Sequence, residues 1–275
     1  MKGKLIIGKL LSNIALFLVL LVCILPFWWV IVMATWPNGS LFSQIPMIPR
    51  GFLITNLKAL FFRINVMRNF LNSCVVSITS TVMNLFFSSL AAYAFSKHRF
   101  RFKEFLFMIV LITMFVPTQL AFIGYVQEMK ALGLINSLLA LILPSFGSAF
   151  GIFIMRGYMS SAVPDSLVDA ATIDGCPDFF IFLRIVLPII KPVIASVGIL
   201  TFMGSWNNYA GPLVVLNKPS LFTLPLAIAS LNGLFVNNYS VICIGILIST
   251  MPILLVYGCL SRLFITALTA GAIKE

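Results

Sequence analysis

The acidic side chains of this sequence are concentrated in one short segment. Four of its seven Asp and Glu residues lie there: Asp165, Asp169, Asp174 and Asp178. Carboxylates support acid–base or metal chemistry when His, Cys or Ser partners stand near them, but the single histidine, His98, lies between Lys97 and Arg99. We predict that His98 is a loop residue near anionic lipid headgroups. The acidic segment is therefore either a solvated loop that collects charge or a docking surface for a partner.

The acidic segment carries start and stop signals for a short helix. Pro164 suits a first helical position, Asp165 lies in the first turn where the macrodipole favours an anion, and Gly175 suits a left-handed C-terminal cap. Pro177 and Asp178 open a second helix, which runs towards Pro188. The sequence predicts a helix, a hinge and a second helix. The first helix is short, amphipathic and too polar for the bilayer, so a groove on a soluble partner could bind it.

A second cluster combines amides with aromatic rings, in the order Trp206, Asn207, Asn208, Tyr209. Amides and rings at the end of an apolar run could line a wet pathway for sugars, which use hydroxyl hydrogen bonds and ring stacking. The amides could equally bind backbone groups at a helix end, with the aromatic rings as interfacial anchors. Both interpretations stay open. For Asn84 and Gln119 a hydrogen bond between packed helices is favoured.

The elements that position these residues are membrane spans. Hydrophobic residues make up 61% of the 275 residues, charged residues 9%, and the mean hydropathy is +1.10. Such a chain has too little polar surface for a soluble core, and its apolar runs approach the ~20 residues that cross a bilayer as a helix. We predict an all-α membrane protein with an uncleaved first span and about six transmembrane helices: 10–33, 70–95, 105–126, 138–156, 186–209 and 240–262.

The net charge of +11 indicates how the spans are oriented in the membrane and does not indicate nucleic-acid binding, because the basic residues flank apolar spans. Cytoplasmic loops are rich in Lys and Arg. The N-terminal lysines and the basic residues from Lys97 to Lys103 fall on one side if the spans alternate, although the first external loop contains Arg50, Lys58, Arg63 and Arg68. We expect both termini, and the acidic segment, to be cytoplasmic.

The acidic segment resembles a known motif. The order Asp169-Ala170-Ala171, three residues, Gly175, nine residues, then Ile185 to Pro188 is similar to the EAA loop of permease subunits of bacterial ABC importers, with Asp in place of the usual Glu. Other stretches are similar to the carbohydrate-type, maltose-permease-G-like subunits: Asn72-Ser73, Ala91 to Phe95, Ile173 to Gly175, Trp206 to Tyr209 with Pro212-Leu213, Thr223 to Pro225, and Leu268 to Lys274.

The resemblance implies a single permease domain over 1–275 with the type I ABC importer permease fold and a coupling loop at about 157–188. It assigns ATPase coupling to a set of residues: Asp169, Ala170, Ala171, Ile173, Asp174 and Gly175. It also implies a second permease subunit, two cytoplasmic ATPase subunits or domains that bind ATP and Mg, an external solute-binding protein, a carbohydrate substrate, surrounding membrane lipid, and a bacterial inner membrane.

The sequence has no G-x-x-x-x-G-K-[ST] phosphate loop, so ATP hydrolysis is expected on a separate subunit and no cofactor on this chain. The alternative is an ion-coupled secondary transporter of a small polar solute. Such proteins usually place carboxylates within their spans, and the predicted spans contain no clear Asp or Glu. A purely structural membrane subunit would leave the coupling-loop pattern without a purpose.

Overall fold

The computed structural model describes residues 2–37, 46–117, 120–232 and 238–272, with side chains from residue 9 to residue 259. The regular elements in these ranges are helical. In chain order they are α1 (Lys2–Ala34), α2 (Leu53–Arg63), α3 (Val66–Lys97), α4 (Lys103–Thr113), α5 (Phe122–Ala131), α6 (Leu139–Ile142), a 3-10 turn (Leu143–Phe146), α7 (Ala149–Ala162), α8 (Asp165–Ile173), α9 (Asp178–Ile181), a π-helical turn (Phe182–Val186), α10 (Leu187–Ile189), α11 (Lys191–Trp206), α12 (Ala210–Val215), a 3-10 turn (Pro219–Leu221), α13 (Leu224–Ala229) and α14 (Tyr239–Ala272).

Within these ranges, four helical stretches are long and apolar enough to span a membrane: Lys9–Ala34, Val66–Lys97, Leu139–Ala162 and Tyr239–Cys259. They match the predicted first, second, fourth and sixth spans. The stretch Asp178–Ile189 followed by Lys191–Trp206, bent by 83°, gives a fifth if it counts as one span. The predicted span 186–209 corresponds to α11 beyond that bend.

The predicted third span, 105–126, is wrong as a continuous helix. Helix α4 ends at Thr113 after 11 residues, and α5 begins only at Phe122. Pro117 lies between them, and proline disfavours helical backbone at the residue before it and lacks an N–H for the helix ladder. Hydrophobicity alone therefore joined two separate helices.

The chain forms two compact units, residues 1–66 with 227–251, and residues 67–226 with 252–275. In the first unit, α2 is bound to the end of α1. The side-chain amide of Asn56 donates to the carbonyl oxygens of Ala34 and Trp36 at 2.9 and 2.8 Å. The Trp36 indole N–H donates to the Ile48 carbonyl at 2.8 Å, and the Arg50 guanidinium lies 3.8 Å from the Trp36 ring centre.

In the second unit, one face of α3 carries buried polar side chains, which we call the polar seam: Asn69, Ser73, Ser77, Ser80, Asn84 and Ser88. Their spacing of three or four residues places them in one row along the helix. The Asn84 amide donates to the Ser145 carbonyl at 3.0 Å, and the Ser73 hydroxyl accepts from the Leu224 N–H at 2.7 Å. The packing interpretation of Asn84 is confirmed, whereas Gln119 lies outside the described residues.

Helix α7 packs against this seam through a glycine. A Cβ placed on Gly151 would lie 3.1 Å from the Ser88 hydroxyl oxygen, and the N–H of Ser148 donates to that same hydroxyl at 3.3 Å. Small residues let membrane helices approach closely, where polar groups hydrogen-bond between them. The seam thus holds α3 and α7 together. Helix α7 ends just before the acidic segment in the chain, and the last residue of α3, Lys97, contacts that segment.

Candidate functional site

The acidic segment forms the predicted short helix, α8. Pro164 takes an extended conformation (φ −63°, ψ 138°) and Asp165 is the first helical residue, one position later than predicted. Gly175 has a φ of +75°, its N–H donates to the Thr172 carbonyl at 3.0 Å, and the next N–H, of Cys176, donates to the Ala171 carbonyl at 3.0 Å. The left-handed glycine therefore ends the helix as the sequence indicated.

Helix α8 has one buried and one exposed face. Val168 and Ala171 are buried in a cluster that includes Met155, Met159 and Phe182. The opposite side, which we call the outer face, is exposed and consists of Asp169, Ala170, Ile173 and Asp174. The exposed fraction of Ile173 is 86%, so this apolar side chain projects away from the core that Val168 and Ala171 enter.

The second predicted helix also forms. It begins at Asp178 after an extended Pro177 and continues to Ile189 through the π-helical turn of Phe182–Val186. In this turn the N–H of Leu187 donates to the Phe182 carbonyl. Pro188 has no N–H for the Arg184 carbonyl and its ring crowds that group, so a locally wider helix accommodates it.

The N-terminus of α8 is bound to the last residue of α3. The Lys97 ammonium lies 2.6 Å from Oδ1 of Asp165 and donates to the Val163 carbonyl at 2.5 Å. The Lys97 side chain is 4% exposed and that of Asp165 is 81% exposed. The hydrogen bond from Lys97, followed by its charge, holds the pKa of the Asp165 carboxyl below its ordinary value.

The segment after α8 is bound to the same part of α3. Nε2 of His98 lies 3.1 Å from Oδ2 of Asp178, and the Tyr93 hydroxyl donates to Oδ1 of that carboxylate at 3.1 Å. The Tyr93 and His98 rings meet edge to face, with their centres 4.9 Å apart. The expectation that lipid headgroups surround His98 therefore missed its carboxylate partner.

Sequence reasoning did not identify Tyr93, Lys97 and His98 as part of this site. Their partners are 66 to 85 positions away in the chain, and no local spacing rule reaches that far. The available signal was charge: a basic stretch and an acidic segment were both predicted on the cytoplasmic side, where opposite charges attract.

The aromatic and amide cluster divides into buried and exposed members. Trp206 is 1% exposed, stacks on Phe202 with a centroid distance of 5.7 Å, and meets Phe70 edge to face at 5.6 Å. Asn207 and Asn208 are exposed, and Tyr209 is 42% exposed.

Asn208 acts on the backbone at a helix start. Its Oδ1 accepts a hydrogen bond from the Gly211 N–H at 3.1 Å, in the first turn of α12. It also borders a small cavity of about 230 Å³ that Tyr125 and Gly211 help to line. The helix-end interpretation therefore has a direct contact for Asn208, and a pathway role for Asn207, Asn208 and Tyr209 stays a prediction.

The buried Trp206 also faces a larger cavity of about 640 Å³, which α3, α11 and residues 252–256 line. Apart from Thr81 and Lys191, the lining side chains are Trp206, Cys74 and hydrophobic or small residues. The Thr81 hydroxyl already donates to the Ser77 carbonyl at 2.7 Å. A sugar would find few free hydrogen-bond partners in this cavity, so Trp206 belongs to an apolar environment here.

This architecture is the all-helical type I fold of ABC importer permeases. The structure of a bacterial ABC transporter involved in the import of the acidic polysaccharide alginate matches with a TM-score of 0.80 and 22% identity, over 94% of this chain and 96% of the other. The chain belongs to the family described as binding-protein-dependent transport system inner membrane component, which matches residues 84–269.

Several relatives in this family have described roles. The arabinooligosaccharides transport system permease protein AraQ of Halalkalibacterium halodurans is 37% identical over 74% of this chain and 72% of its own length. The lactose transport system permease protein LacG of Rhizobium radiobacter is 33% identical over 91% of both chains. The probable starch degradation products transport system permease protein AmyC of Thermoanaerobacterium thermosulfurigenes is 30% identical over 93% of both.

Proposed function

We propose that this chain is one permease subunit of an ATP-driven importer that translocates a sugar or oligosaccharide delivered by an external solute-binding protein. The observation that carries the proposal is the outer face of α8, with Ile173 86% exposed on a helix whose other face packs into the core of its unit. Relatives named for arabinooligosaccharide, lactose and starch-product transport support a carbohydrate substrate.

The outer face is the part of the chain that we assign to ATPase coupling. Ile173 offers an apolar anchor, Asp169 and Asp174 offer carboxylates beside it, and Ala170 leaves room for a partner's surface. Ala171 belongs to the same predicted set but packs inward, and Gly175 shapes the end of the helix. We assign these two a supporting role: they fix the position of α8 without touching the partner.

In this proposal, residues 1–275 act as one permease domain in a bacterial inner membrane, with both termini and α8 in the cytoplasm. A second permease completes the pathway, and two ATPase subunits bind ATP and Mg. Closure of the ATPases displaces α8, and the permease pair alternates between inward-open and outward-open states. The exposed Asn207 and Tyr209 are positioned at the break between α11 and α12, where they could meet solute.

Isolation of the chain from its native membrane tests the proposal. The expected result is that an ATPase copurifies and that right-side-out vesicles, supplied with the external solute-binding protein, accumulate radiolabelled oligosaccharide only when ATP is enclosed with the cytoplasmic face. Uptake that persists in ATP-depleted vesicles under an imposed proton gradient would instead establish an ion-coupled transporter and refute the proposal.

A further inference from the structure

Helix α8 is bound to α3 at two separate points, one before its N-terminus and one after its C-terminus. At the first point the Lys97 ammonium contacts both the Val163 carbonyl and the Asp165 carboxylate. At the second point His98 and Tyr93 contact the Asp178 carboxylate. Two attachments on opposite ends of a helix prevent it from pivoting about either one.

The basic side of the first attachment is buried, which makes it costly to break. The Lys97 side chain is 4% exposed, and a buried ammonium that loses its partners pays a large desolvation penalty. The acidic partners, Asp165 and Asp178, are 81% and 60% exposed. Their substitution removes the carboxylate from each attachment, while the Val163 carbonyl still accepts a hydrogen bond from the buried Lys97 ammonium.

The inner face of α8 shares its core with the same helix. Val168 and Ala171 belong to one buried cluster with Ala92 and Tyr93 of α3, and the Tyr93 and Phe182 ring centres lie 5.5 Å apart. Packed interiors transmit displacement because they deform little. The contacts at both ends and the packing between them thus join α8 to α3.

We propose that Tyr93, Lys97 and His98 are positioning residues that make α8 and α3 one rigid body, so that a displacement of α8 moves the α3 span directly. This inference rests on the proposed function, because it takes the ATPase as the source of the displacement. The inference names a second path for that displacement. It passes from α8 to the end of α3 through the side-chain contacts, in addition to the covalent path from α8 through α9 to α11.

The experiment measures whether the two helices move together. Spin labels are placed at Ser166 on α8 and at Val82 on α3, both exposed positions, in a chain whose five cysteines are replaced. The complex with its ATPase is examined nucleotide-free and after trapping with ATP, Mg and orthovanadate. In the wild-type background the distance distribution between the labels is expected to be the same in both states.

The double variant Asp165→Asn with Asp178→Asn removes the carboxylates of both attachments at exposed positions. We expect its label distance to shift and broaden on nucleotide trapping. Arg184→Met is the matched control: it removes an exposed cation that lies over Phe180 at 5.2 Å and has no contact with either aspartate, so it should behave as wild type.

Two results would overturn the inference alone. One is a wild-type distance that already shifts when nucleotide is trapped; the other is a double variant whose distance stays constant in a complex that still traps nucleotide. A wild-type chain that brings no ATPase with it would overturn the proposed function as well, and that outcome is read from the purified complex before any distance is measured.

Discussion

The guanidinium of Arg156 lies 3.8 Å from the centre of the Phe107 ring, which joins α7 to α4. Its Nε also donates to the Phe95 carbonyl at 3.2 Å, and Nη2 approaches the Glu104 carboxylate at 3.5 Å. One side chain of α7 therefore contacts both α3 and α4 near the end of α3. Because the five guanidinium donors lie in one rigid plane, a lysine at this position could not reproduce the same set of contacts.

We expect Arg156→Lys to lower the thermal stability of the purified chain, because one ammonium cannot lie over Phe107 and also reach both the Phe95 carbonyl and Glu104; a cation–π contact alone contributes about 0.5–2 kcal/mol. Arg156→Met should cost slightly more, because the Phe95 carbonyl also loses its donor. The measurement is the temperature at which the detergent-solubilised protein aggregates. Equal stability of the wild type and both variants would contradict the structural role of Arg156.

The close approach of α7 to α3 predicts a difference between two glycines on one helix. Gly151→Val places a side chain against Ser88, where even a Cβ would lie at 3.1 Å, and we expect a destabilisation of about 1–3 kcal/mol. Gly157→Val is the matched control, because a Cβ there meets nothing within 4 Å. Thermal aggregation of the two variants should separate them, and equal effects would mean that the seam does not set the helix spacing.

Substitutions of Gly175 should lower the stability of the protein by graded amounts. Its φ of +75° is unfavourable for residues with a Cβ, while a Cβ there meets no atom within 4 Å, so strain is the only cost. Gly175→Val should lose the most stability, Gly175→Ala about 1–2 kcal/mol, and Gly175→Asn the least. Copurification of the ATPase should fall in the same order. An alanine variant as harmful as the valine variant would point to a steric contact instead.

Ile173 predicts an effect on association without an effect on stability. The side chain is 86% exposed, so Ile173→Ser should leave thermal aggregation unchanged. If a partner buries it, the variant should bind the ATPase about tenfold or more weakly, in line with the ~1.5–3 kcal/mol for burying such a side chain. Ile123→Ser, at a 76% exposed position on α5, is the control that should bind normally.

The ion pair of Lys97 and Asp165 predicts a pH dependence of known sign. The pKa of Asp165 is lowered in the folded chain, so the pair stabilises the fold above the ordinary aspartate pKa of about 3.9 and this contribution disappears as the pH falls through the lowered value. Wild type should therefore be more stable than Asp165→Asn at neutral pH, and the difference should shrink in strong acid. A difference that stays constant with pH would exclude the ion pair as its cause.

The sequence predicted those features that local chemistry determines. Pro164 and Gly175 marked the start and end of α8 to within a residue, since a proline and a left-handed glycine constrain the backbone at their own positions. Periodicity and hydrophobicity placed the long helices. The break after Thr113 was missed because a hydropathy window averages across Pro117, which acts on one turn of helix.

The attachments of α8 could not be predicted from the sequence, because they join residues far apart in the chain. Lys97 appeared only as a topological charge, and His98 as a residue at the lipid surface. The structure was also needed to show that, of the residues assigned to ATPase coupling, Ile173 is exposed and Ala171 is buried. A helix of nine residues has several faces, and the packing of the surrounding helices determines which face is buried.

The polar seam of α3 has a consequence for biogenesis. During synthesis α3 emerges from the ribosome long before the groups that its seam contacts: Asn84 bonds to Ser145, 61 residues later, and Ser73 bonds to Leu224, 151 residues later. Until those segments are made, the Asn84 amide and the Ser73 hydroxyl lack these partners in lipid, where unsatisfied polar groups are costly. We therefore expect the nascent α3 to stay beside the insertion machinery until α13, which begins at Leu224, has been translated, so the order of translation becomes part of how this permease assembles.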